Sequence, residues 1–239
     1  MRAAIAGLVL LASASDALAG DVSGRITIDP PARPAAKTAA PTPADKPATP
    51  PRAFVFVERV EPPAGGFAWP AELDAPRIEM RSLAFVPREI AVRAGGTVAF
   101  ENADDLFHQP FSCSRGNRFD LGRFRKGESP AASFPEPGVA RVYCDVHSGM
   151  RAFVLVVQNP FVAPVAPDGA FRLAGVPAGR RRIAVVLEGD VLDRREVDVP
   201  EDGGAAPPPI EWRVAAGPAS EADRRVAGVA LPAPCCARR

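Results

Sequence analysis

The sequence predicts an all-β protein, and three observations carry that expectation. Proline and glycine are abundant, at 28 and 20 of 239 residues, and they punctuate the chain at short intervals. Between them lie short runs rich in valine, isoleucine, phenylalanine and threonine, several alternating apolar with polar. Helix-type periodicity is scarce. Short strands separated by turn signals read as a sandwich or a Greek-key barrel. Hydrophobic residues make up 47% of the chain, enough for a core, and the length admits one large domain or two small ones. The net charge of +1 names no partner, and no basic run interleaved with aromatics points to nucleic acid.

Residues 1–19 read as a secretory signal peptide: Arg2, an apolar run over 3–14, and Ala17-Leu18-Ala19 as a small-residue cleavage site. The bland alternative is a short buried helix. Gly20, not cysteine, follows the cleavage site, so a lipid anchor is not indicated there. No other stretch approaches the roughly 20 apolar residues of a membrane span. The expected location is periplasmic or secreted, an oxidising compartment.

Residues 22–28 alternate like a half-buried strand and run into 29–52, a stretch of Pro, Ala, Lys and Thr that reads as a solvated linker. Residues 53–60, A-F-V-F-V-E-R-V, form a second strand, and 61–75 are again turn-rich. Strands follow at 78–85, 90–93, 97–102, 140–144 and 152–157. Val86-Pro87, Ala94-Gly95-Gly96 and Pro137-Gly138 separate them. The polar, Gly-containing stretch 108–133 reads as an excursion across one side of a sandwich. A new pattern begins after Asn159-Pro160, with later strands at 195–199 and 210–214. The end, 217–239, reads as a disordered tail.

The chemistry concentrates in V-Y-C-D-V-H-S-G-M, residues 142–150. A thiol (Cys144), an imidazole (His147) and a thioether (Met150) recur there at three-residue intervals. The sequence's other histidine is His108, in L-F-H-Q-P-F-S. Thiolate, imidazole and a weak thioether together suit copper, cycling between Cu(I) and Cu(II). Each donor has a plainer reading. Cys144 could pair with Cys113 in a disulfide, Met150 could fill core space, and a lone histidine is usually a surface or satisfied core residue. Cys113 reads as a free thiol near the site. Cys235-Cys236 could catch copper, form a strained disulfide, link two chains, or be incidental. The arginines at 180–182 read as a solvated strand end or a docking patch. With both histidines on a metal, no Ser-His-Asp base remains, and there are too few histidines for a copper oxidase. The expectation is a protein that is not an enzyme.

Residues 77–158 resemble a cupredoxin, a small blue-copper domain. The resemblance rests on G-G-T-V-A-F-E-N at 95–102, then His108, then F-x-x-P-G-V-A-R-V-Y-C from Phe134 into Cys-x2-His-x2-Met. The loop most resembles that of amicyanin and the plastocyanin-like proteins of methylamine-utilisation clusters. It implies a Greek-key β-sandwich with one copper ion per chain, held by His108, Cys144, His147 and a weak axial Met150. The implied function is a single-electron carrier serving redox partner proteins. One departure is Gln109-Pro110, where the family usually has Asn and an apolar residue.

Residues 167–189, with Asp168-Gly169, Phe171, Val176-Pro177 and Gly179, resemble the carboxypeptidase regulatory-like (prealbumin-like) sandwich. Val22-Ser23-Gly24-Arg25-Ile26 matches that family's first strand. The resemblance implies a second sandwich made from 21–60 and 163–214, with the cupredoxin at 76–158 inserted into it; two domains in series after an irregular arm is the alternative. Two other functions compete with electron transfer: copper binding and delivery through the same ligands, and a metal-free structural role at the cell surface.

Overall fold

The computed structural model describes residues 19–29, 52–200 and 208–215. Most of the expected signal peptide, the Pro-rich linker, and the tail with Cys235 and Cys236 lie outside the described residues. Strands β1 (Ala19–Asp29) and β2 (Phe54–Val57) come first, and one turn of helix, α1 (Ala71–Asp74), follows. The middle of the chain forms β3 (Arg77–Arg81), β4 (Ala84–Val86), β5 (Glu89–Arg93), β6 (Gly96–Asn102), β7 (Pro110–Ser114) and β8 (Asn117–Asp120). After them come β9 (Ala131–Phe134), β10 (Gly138–Cys144) and β11 (Arg151–Val157). The rest is β12 (Val162–Pro164), β13 (Ala170–Pro177), β14 (Gly179–Leu187), β15 (Asp190–Val199) and β16 (Ile210–Ala215). The protein is all-β, as its turn-punctuated sequence predicts.

Four sheets pack as two face-to-face pairs. The sheet β5-β11-β10-β7-β8 faces β4-β3-β6-β9 across a core that includes Ile78, Phe100, Phe134, Val142, Cys144 and Val154. The sheet β13-β1-β16 faces β12-β2-β14-β15 across Val22, Val55, Leu173, Ile183 and Trp212. Strand β1 pairs with β13 and, in parallel, with β16, while β2 pairs with β12 and β14. The second pair of sheets thus draws on strands from both sides of β3–β11.

A third apolar cluster explains why some strands are not amphipathic. Phe54, Ala91, Leu155, Val157 and Val186 meet with Leu73 where the two pairs of sheets stack back to back. Strand β11 is therefore covered on both faces, and its sequence R-A-F-V-L-V-V is a continuous apolar run instead of an alternating one. Strands β2, F-V-F-V, and β14, ending I-A-V-V-L, follow the same logic.

Polar contacts edge this seam. Arg141 donates to the Gly189 carbonyl at 3.0 Å and to Asp190 Oδ1 at 2.6 Å. Arg88 pairs with Glu188 at 2.9 Å and lies over the Phe153 ring. Gly189, at φ 83°, stands so close to Phe153 that a Cβ would collide with the ring, so the β14–β15 turn seats only with glycine there.

The structure departs from the sequence reading in three places. The strand expected over 78–85 is two strands, because Ser82 and Leu83 turn the chain with φ of 55° and 60°. Neither residue is one that usually takes positive φ, so nothing local announces the break. The excursion expected over 108–133 contains β7, β8 and the start of β9, with Gly116 (φ 78°) turning the β7–β8 hairpin. These strands are short, and β7 buries polar Ser112 while turning Phe111 and Cys113 outward, which hides them from a hydrophobicity pattern. Cys113 is disulfide-bonded and not the free thiol expected, while Cys144 is a free, buried thiol. Alternation along β7 puts Cys113 on the face opposite Ser112, which pairs with inward-facing Val142, so Cys113 and Cys144 lie on opposite faces of one sheet.

Glu89 is 5% exposed and sits at the seam. Its Oε2 accepts the Arg52 backbone N–H at 3.1 Å. Burial raises its carboxyl above the usual range, against the opposing pull of that hydrogen bond and of Arg88. A raised folded-state pKa adds stability below the ordinary carboxylate range, and that contribution is lost as pH rises through the raised value. Glu89→Gln should therefore melt a few degrees higher than the natural protein near about pH 7, with the gain shrinking toward about pH 4. Thermal unfolding followed by circular dichroism across that range checks this, and an unchanged or lower melting temperature at neutral pH would count against it.

Candidate metal centre

The site forms where the ends of two adjacent strands meet. Strand β10 ends at Cys144, which pairs with Pro110 at the start of β7, so the residue just before β7 and the loop just after β10 are neighbours. His108 belongs to the first segment. It is fully buried and bridges Phe124 through reciprocal backbone hydrogen bonds of 3.2 and 3.1 Å. Asn102, at the end of β6, shapes the approach. Its Nδ2 donates to the Leu106 and Phe124 carbonyls at 2.8 and 3.1 Å, and its Oδ1 accepts the Asp104 N–H at 2.9 Å.

His147 and Met150 belong to the loop after β10. The Cys144 N–H donates to the Met150 carbonyl at 3.3 Å, and the Met150 N–H to the His147 carbonyl at 3.4 Å. Gly149, at φ 96°, supplies the conformation that closes the loop. Two backbone bonds tie the segments together: Gln109 N–H to Cys144 Sγ at 3.5 Å, and Asp145 N–H to the Gln109 carbonyl at 3.0 Å. The Gln109 side chain reaches Asp120 at 2.9 Å, while its backbone ties the two loops together.

Three of the four donors expected from the sequence converge. His108 Nδ1 lies 3.2 Å from His147 Nδ1, and Cys144 Sγ lies 3.7 and 3.9 Å from the two nitrogens. They are the only group of three or more His, Cys, Asp or Glu donors placed to hold a metal ion among the described residues. A point in the plane of the three atoms sits roughly 2.1 Å from each, within the roughly 2.0–2.3 Å that nitrogen and thiolate donors keep from a first-row ion such as zinc. The triangle therefore fits a trigonal ion. Met150 is buried in the core cluster that also holds Cys144, at the closing residue of the same loop.

The electrostatics keep the His147 nitrogen available. Burial, and then the neighbouring His108, lower the pKa of His147, with Asp104 acting the other way, so the ring favours its neutral, metal-binding form. Asp104 Oδ2 lies 3.0 Å from His108 Nε2. Burial works to raise the Asp104 carboxyl, but the Leu83 and Ser82 N–H groups together with His108 hold it below the usual range. The sequence reading missed Asp104. Its one signal is the i, i+4 spacing to His108, which means little in a chain without helix there.

No protein-family model matches the chain, and no curated protein does. Among solved structures it is similar to an oxidized amicyanin mutant, at 20% identity over 34% of this chain and 81% of the other, with a TM-score of 0.33. It is also similar to amicyanin from Paracoccus versutus, at 24% identity over 43% and 96%, with a TM-score of 0.32. A novel purple cupredoxin from Nitrosopumilus maritimus matches at 22% identity over 34% and 98%, with a TM-score of 0.31. These scores are low, so the case for a metal centre stands on the donors themselves.

Asn102→Ala should destabilise the metal-free protein by about 2–3 kcal/mol, because two buried carbonyls and one N–H lose their partner together. Urea unfolding measures this; a loss below about 0.5 kcal/mol would show that Asn102 does not organise the His108 segment.

Proposed function

We propose that the chain is a blue-copper protein that carries single electrons in the periplasm or outside the cell. The observation that carries this reading is the triangle of Cys144 Sγ, His108 Nδ1 and His147 Nδ1, with separations of 3.2–3.9 Å. One thiolate and two imidazoles in a trigonal set, with a methionine closing the loop, are the donor chemistry of blue-copper sites. Copper held there supplies one-electron exchange between Cu(I) and Cu(II). The protein's part is to hold the donors still. Two backbone bonds between Gln109 and the 144–145 segment fix the loops, and the buried His108 and Cys144 keep water from two of the three donors. Met150 is proposed as the weak axial ligand.

Exposure supports an electron exit at His147, the donor nearest solvent. Among the described residues the exposed large hydrophobics are Leu83, Leu106, Phe107 and Val146. Leu106 and Phe107 directly precede His108, Val146 directly precedes His147, and the Leu83 N–H bonds Asp104. An apolar rim at the metal end of the molecule suits brief docking of redox partner proteins.

The disulfide at Cys113 and the leader-like N-terminus support an oxidising compartment. We further infer that residues 76–158 are a cupredoxin-like unit inserted into a prealbumin-like second sandwich. The pairing of β1 with β13 and β16, and of β2 with β12 and β14, supports this.

Titration with Cu(II) should raise an intense visible thiolate-to-copper band that saturates at a single equivalent and is lost in Cys144→Ser. A colourless titration of the folded protein would overturn the copper reading.

A further inference from the structure

His108 has no exposure to solvent, so whatever touches its far nitrogen governs how it presents the near one. Asp104 Oδ2 makes that contact, at 3.0 Å from Nε2. The same carboxylate is gripped from outside the loop. Ser82 N–H donates to Oδ1 at 2.6 Å and Leu83 N–H to Oδ2 at 2.9 Å. Both residues hold positive φ, so the β3–β4 turn aims two successive N–H groups at one anion. Asp104's own N–H is tied to Asn102. The carboxylate therefore has a fixed place and a stabilised charge.

A carboxylate accepts only a proton-bearing nitrogen here, which makes Nε2 the protonated atom of the neutral ring and, in that form, leaves the Nδ1 lone pair facing Cys144 Sγ and His147 Nδ1. A backbone carbonyl could orient the ring equally well. A carboxylate also adds a negative charge against a buried imidazole, where water screens it weakly. That charge attracts a doubly charged ion more than a singly charged one.

We propose that Asp104 is a positioning residue that fixes the Nε2–H tautomer of His108 and biases the centre toward Cu(II) over Cu(I). This rests on the copper reading above. Asp105 provides the comparison. It carries the same charge one residue along, is 89% exposed at its side chain, and pairs with Lys126 without touching His108.

Two measurements test this. Long-range nitrogen-15 NMR of the metal-free protein at neutral pH should show His108 protonated on Nε2; protonation on Nδ1 overturns the proposal and needs no variant. Cu(II) and Cu(I) affinities are then measured for the natural protein, Asp104→Asn and Asp105→Asn. Asp104→Asn should weaken Cu(II) binding by about 10–100-fold, with a much smaller change for Cu(I) and a raised reduction potential. Asp105→Asn should leave the ratio unchanged. Equal weakening of both ions in Asp104→Asn, or an equal shift of the ratio by both variants, overturns the proposal. Absence of copper binding by the natural protein would sink the copper reading instead, while the metal-free tautomer would still decide the role of Asp104.

Discussion

The pairing of the start of β7 with the end of β10 is the contact on which the rest of the centre depends. It sets Pro110 against Cys144, and so brings His108, two residues earlier, beside the thiol that ends the neighbouring strand. The Gln109 N–H then reaches the sulfur, and the Gln109 carbonyl takes the Asp145 N–H. Donors 36 and 39 residues apart in sequence are thereby brought together by backbone hydrogen bonds between the strands that carry them. Sheet hydrogen bonds fix the segments that carry these donors, so the triangle they form has little room to change shape.

That rigidity extends outward through the core. Cys144 lies in the apolar cluster between the two sheets of its sandwich, and the strand beside it, β11, is buried on both faces. The back-to-back seam therefore presses a second sandwich directly against the sheet that carries the thiol. Arg141, on the strand that ends at Cys144, is held by the β14–β15 turn. The polar groups at this seam are those of long side chains whose heads reach across an apolar junction, an arrangement in which Glu89 is the strained member, its charge confined where solvent is excluded.

The apolar rim and the buried donors divide the work at the metal end. Leu106, Phe107 and Val146 are exposed immediately before the two histidines, so the chain turns its apolar residues outward where it turns its candidate donors inward. Burial of His108 and Cys144 keeps the thiol from solvent and oxidants, while the exposed apolar residues beside them leave a surface open to close approach.

By itself the sequence determined the all-β class, because alternating apolar runs bounded by proline and glycine have no other stable solution. It also offered His108, Cys144, His147 and Met150 as candidate donors, and the packed sheets bring the first three together. It did not reveal the Ser82–Leu83 turn, the strands at 110–120, or the face on which Cys113 lies. Those depend on which edge of a sheet a polar segment joins, and local composition does not encode that. Asp104 was illegible for the same reason: its partners Ser82, Leu83 and His108 come from segments that only the packed sheets bring to one carboxylate. The continuous apolar runs of β2, β11 and β14 were visible but ambiguous. Only the tertiary structure showed that each of these strands is covered on its outer face by the other pair of sheets.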